Sequence, residues 1–133
     1  MSRVWVFRIL TVLYLIAVAV LCFSNFSHMS EMPRTVFGLP ADKVVHFVMF
    51  LPFPVLSYFS FDVRKAGPVP AMLLLVCMFA LGCLLAWGTE LIQSRIPYRS
   101  MDPADFKADR IGLICGSLVS FFILLLKHKK NNA

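Results

Sequence analysis

Four stretches of nearly unbroken apolar residues punctuate the chain, at about 4–23, 44–61, 69–91 and 111–126. Neither the alternation of a half-buried strand nor the one-sided stripe of a soluble helix runs through them. A helix needs about twenty apolar residues to cross ~30 Å of hydrocarbon. The first and third stretches have that length, while the second and fourth reach it by starting in the polar residues before them. The pattern predicts four membrane helices over about 4–23, 44–61, 69–91 and 103–126, forming one all-α bundle domain across 1–133. Helices are the expected spanning form because lipid offers no partner to an open backbone. A transmembrane barrel would require polar and apolar residues to alternate.

Composition agrees with this pattern. The 133 residues are 59% hydrophobic and 15% charged, with a mean hydropathy of +0.80. A soluble domain carries about a quarter charged residues, and a disordered chain carries few aromatics, whereas 14% of this chain is aromatic. The first apolar stretch also resembles a secretory leader with Arg3 ahead of it. Its core is longer than a leader's, and no small-x-small cleavage site follows, so a retained helix is expected.

The net charge of +6 does not point to nucleic acid, because the basic residues sit at chain ends and in short connections. Their placement bears on orientation instead. With a cytoplasmic N-terminus, Arg3, Arg8, Arg64, Lys65, Lys127, Lys129 and Lys130 lie inside. Arg34, Lys43, Arg95, Arg99, Lys107 and Arg110 then lie outside, so the count is seven against six. The tail Lys127-His128-Lys129-Lys130 after an apolar run is the clearest stop signal. It places both termini in the cytoplasm of a cell-membrane protein. Cys22, Cys77, Cys83 and Cys115 form no C-x-x-C pair, which leaves them as buried small hydrophobes. The Met and Phe residues of the spans read as lipid-facing packing.

An even number of crossings puts the first and third connections on one membrane face, where nearly all the unusual polar residues occur. Asp42, Lys43 and His46 lead into the second helix. Glu90 and Gln93 end the third, Arg95 and Arg99 lie in the connection, and Asp102, Asp105 and Asp109 open the fourth. Gly82, Ala86, Glu90 and Gln93 share one face of the third helix by i+3 and i+4 spacing, as do Asp105, Asp109, Gly112, Gly116 and Ser120 on the fourth. Small residues allow close approach of membrane helices. Packing the two stripes together would bring Glu90 and Gln93 to Asp105 and Asp109, with His46 facing them.

Simpler roles fit several of these residues. Asp102 before Pro103 reads as a helix N-cap, Asp42 reads as another, and the prolines at 52 and 54 read as a bend. Glu90 is different. It sits in apolar sequence, where an ionised group costs about 2.5–3.5 kcal/mol at mid-membrane, so it marks a functional position. Several carboxylates stay charged together only beside a cation, for which Arg95 and Arg99 are available. The candidate catalytic residues are Glu90, His46 and Asp105, as acid or base toward a lipid headgroup. Asp42, Lys43, Gln93, Arg99, Asp102 and Asp109 are the candidate binding residues. No ligand loop for a metal is visible and no cofactor is expected; a divalent cation held by the acid oxygens is an alternative. No G-x-S-x-G nucleophile motif is present.

The series Asp42-Lys43, His46-Phe47, Glu90-x-x-Gln93, Arg99, Asp102, Asp105, Gly112 and Gly116 resembles the VanZ-like family of small bacterial membrane proteins over about two-thirds of the chain. That family usually has asparagine where this chain has Asp109, which adds a negative charge here. Its founding member is linked to resistance to teicoplanin, a lipid-bearing glycopeptide. The resemblance therefore implies a role in the cell envelope, but no reaction follows from the motif. Three functions are expected. One is binding of a membrane lipid or lipid-linked cell-wall precursor at the extracytoplasmic face. Another is an enzyme modifying a lipid headgroup, and the third is a structural subunit of a membrane complex.

Overall fold

The computed structural model describes residues 2–25, 34–61, 63 and 67–132, without the side chains of 131 and 132. Helix α1 spans Arg3–Phe23. A short hairpin follows, with β1 at Thr35–Val36 and β2 at Leu39–Pro40. Then come α2 (Ala41–Phe50), α3 (Pro52–Ser60), α4 (Pro68–Gln93) and α5 (Pro103–Asn132). Because α2 and α3 run on as one span, the described residues hold four spans long and apolar enough to cross a membrane. The protein is an all-α bundle of four such helices. Its outward faces are apolar, with Leu73 at 61% and Leu84 at 64% exposure, which suits hydrocarbon and not water. Arg64 and Lys65, two of the basic residues used to argue orientation, lie outside the described residues.

Pro52 and Pro54 bend the second span without ending it. Leu51 keeps helical dihedrals, φ −56 and ψ −42, and its amide still bonds the Phe47 carbonyl at 3.1 Å. The prolines lack N–H groups, so the carbonyls four residues back lose their helical partners. Beside this bend the Tyr14 hydroxyl of α1 donates to the Met49 carbonyl at 2.5 Å.

Helix α5 is the hub, packing on α2, α3 and α4, while α1 lies mainly against α3 and touches α4 little. Gly112 and Gly116 lie on the second span, where an added methyl group would collide with the carbonyl oxygens of Phe47 and Leu51. This corrects the expected pairing of small stripes: the α5 glycines meet the backbone of α2 and Leu51, and Gly82 of α4 receives the Leu113 side chain. The main core joins Val18, Cys22, Met49, Phe50, Phe53, Ala86 and Leu113. Met49, Phe50 and Phe53 are therefore core residues and not lipid-facing ones. Among the cysteines only Cys22 is buried, and Cys77 is exposed.

The hairpin is unexpected. Thr35 pairs with Pro40 and Val36 with Leu39, across a turn in which Phe37 (φ 51) and Gly38 (φ 78) both take positive φ. Two consecutive positive φ values define the tight turn whose twist matches paired strands.

Candidate functional site

The ends of α2, α4 and α5 meet at one rim of the bundle. Four titratable side chains are buried there: His46, Glu90, Asp105 and Asp109. His46 lies one turn into α2, Glu90 one turn before the end of α4, and Asp105 and Asp109 on successive turns of α5. His46 Nδ1 is 2.8 Å from Asp109 Oδ1 and 4.0 Å from Glu90 Oε1. His46 Nε2 lies 3.6 Å from Asp105 Oδ2. Glu90 Oε2 accepts the Asp102 main-chain N–H at 3.2 Å. Glu90 Oε1 and Asp109 Oδ2 are buried and accept no hydrogen bond from any described residue.

Lys43 lies just outside this inner group. Its ammonium donates to Asp42 at 2.8 Å and also to Asp102 and Asp105. Asp102 does two things, since its other oxygen accepts the Ala104 amide at 2.8 Å and caps α5. The hydrogen bond from Lys43 holds the Asp102 carboxyl below the usual carboxylate range. Asp42 is not an N-cap: α2 begins at Ala41 after Pro40, with no side-chain cap bond.

Arg99 and Gln93 serve a different end. The last carbonyls of a helix lack intrahelical partners, and those of α1 are answered from α4 and the third connection. Arg99 donates to Leu21 at 3.1 Å and Ser24 at 3.0 Å, Gln93 to Cys22 at 2.9 Å, and Tyr98 to Phe23 at 3.0 Å. A guanidinium there also complements the negative end of the helix dipole. So the cation expected among the acids from Arg99 is supplied by Lys43, and Arg95 is exposed. Tyr98 and the Asp102 amide were not legible as site elements. A backbone amide has no side-chain signal, and a tyrosine near a membrane surface is ordinary.

Beside the cluster, an apolar groove of about 340 Å³ runs between α1 and α4, lined by Tyr14, Val18, Phe53, Leu85, Thr89 and Ile92 among others. It exists because α1 leans on α3 and leaves α4 largely uncovered. Thr89 of the groove wall precedes Glu90 in α4. No protein-family model, curated protein or solved structure matches this chain.

Proposed function

We propose that this is a membrane protein of the VanZ-like type that binds the headgroup of an envelope lipid or lipid-linked cell-wall precursor in the rim cluster, at the extracytoplasmic face. The observation that carries the reading is a buried imidazole in contact with two buried carboxylates, Glu90 and Asp109, each of which keeps one oxygen that no described residue bonds. Unpaired acceptors cost about 1–3 kcal/mol each, and ionisable groups inside a membrane mark functional positions. The apolar groove between α1 and α4, lined at this end of the bundle by Thr89, Ile92 and Phe23, gives an acyl chain a place on the same helix that carries Glu90. The order of residues from Asp42 through Gly116 supports the family reading.

A second reading, acid–base catalysis on the headgroup, is favoured by the His46–Asp109 contact at 2.8 Å. A carboxylate on one ring nitrogen orients a histidine for proton transfer, with Glu90 as its counterpart. Native mass spectrometry of gently extracted protein should find one class of bound lipid. Glu90→Gln should keep that lipid while abolishing turnover if the cluster is catalytic, and should weaken retention if it only binds. Protein that carries no lipid above the background composition of its membrane would refute both readings and leave a structural subunit as the alternative.

A further inference from the structure

Two acidic clusters adjoin at the rim, and they are neutralised differently. In the outer one, oxygens of Asp42, Asp102 and Asp105 converge, and the Lys43 ammonium bonds all three. In the inner one, one ligand atom from each of His46, Glu90 and Asp109 lies within 4.8 Å of the others. All three residues are buried, and among the described residues the ion-pair contacts of Glu90 and Asp109 run only to His46. Glu90 and Asp109 each keep one buried oxygen without a hydrogen bond. Neither acid is more than 1% exposed, so bulk solvent does not reach these oxygens.

We propose that His46, Glu90 and Asp109 bind one divalent transition-metal ion, at the site assigned above to the headgroup. Imidazole with carboxylates suits zinc, manganese or iron better than calcium or magnesium. Ligand bonds of about 2.1 Å put tetrahedral donors roughly 3.4 Å apart, so the three side chains need close by only about an ångström. A neutral imidazole and two carboxylates carry two negative charges, which one divalent ion cancels. For Nδ1 to take the ion its proton must leave the contact with Asp109 Oδ1: a neutral imidazole becomes the Nε2–H tautomer facing Asp105, and an imidazolium sheds one proton to solvent.

The surrounding contacts match those of a ligand set. A metal-bound histidine almost always directs its other ring nitrogen to a carboxylate; here Asp105 lies 3.6 Å from Nε2 and is itself held by Lys43. Glu90 is oriented through Oε2 by the Asp102 amide, which leaves Oε1 for the ion. Three protein ligands leave an open coordination position. This rests on the headgroup reading for the ion's use: the two buried carboxylates repel a phosphate oxygen, whereas an ion with an open position attracts one.

The test uses full-length protein in detergent, stripped with chelator and dialysed against Zn²⁺ or Mn²⁺. We expect one ion per chain by elemental mass spectrometry. X-ray absorption should show one imidazole with oxygen donors and no sulfur, which distinguishes this site from the free cysteines. Glu90→Gln and Asp109→Asn should each weaken the ion at least tenfold. Wild-type protein should melt higher with the ion than after chelation, a readout that requires no variant to fold. The inference is overturned if no stoichiometric ion binds, if sulfur appears in the coordination shell, or if the double variant retains the ion. Lipid retained by metal-free protein with no ion site leaves the headgroup reading standing alone; an ion bound by protein that never carries lipid does the reverse.

Discussion

Lys43 is the residue on which the acidic rim depends, because one ammonium answers Asp42, Asp102 and the buried Asp105 together. Lys43→Gln leaves those carboxylates to repel one another. We expect a loss of about 1–3 kcal/mol, the cost of stranding a buried polar partner, read as a lower melting temperature in detergent. Lys43→Arg should recover part of it, since charge is kept while the point geometry of the ammonium is not. The dependence on pH has a definite sign. Asp102 is held below the ordinary carboxylate range in the folded protein, so its share of the stabilisation is present above the unfolded value of about 3.9. It is lost as pH falls through the lowered value. The gap in melting temperature between wild type and Lys43→Gln should therefore be full at pH 7 and should shrink near pH 3; a gap that widens on acidification would contradict the pairing.

Among the elements, α5 depends on its glycines and α1 on its capped end. Gly112 and Gly116 face main-chain carbonyls of the second span, and backbone cannot swing aside as a side chain can. Leucine at either position should cost about 3 kcal/mol or more, beyond ordinary overpacking. Gly88 has open space around it, so Gly88→Ala should hold or raise the melting temperature, by up to about 1 kcal/mol of helix propensity. Arg99→Ala removes the donors to Leu21 and Ser24, and amide hydrogen exchange of residues 21–24 should speed up while α5 stays protected. These contacts also mark where sequence reasoning stops. The apolar runs specified the four spans, and the parity of crossings with i+3 and i+4 spacing placed His46, Glu90, Asp105 and Asp109 at one rim. Spacing says which residues share a face, but not which neighbour covers that face. The glycine stripe of α5 was therefore assigned to α4 when it packs on α2 and Leu51. The capping of α1 by Arg99 and Gln93 was equally out of reach, because it depends on where α1 ends in space. The hairpin at 35–40 had only Phe37-Gly38 to announce it, a weaker turn signal than Asn-Gly.

For the whole molecule, the uneven cover of α1 joins an apolar groove to a polar rim. Thr89 of the groove wall directly precedes Glu90 in α4, yet no residue of the inner cluster lines the groove, so each can be disabled separately. Ala19 lies on the groove wall and is exposed, and tryptophan there would fill the space without entering the core of Phe50, Phe53 and Leu113. If the groove seats an acyl chain, Ala19→Trp should sharply reduce lipid retained through gentle extraction, because the chain loses its apolar contact area. The same variant should fold and bind Zn²⁺ as wild type does, since His46, Glu90 and Asp109 are untouched. Glu90→Gln should show the opposite pattern for the ion, losing it while the groove keeps its shape. Retention of lipid by Ala19→Trp at the wild-type level would separate groove from rim and place any bound chain elsewhere on the bundle.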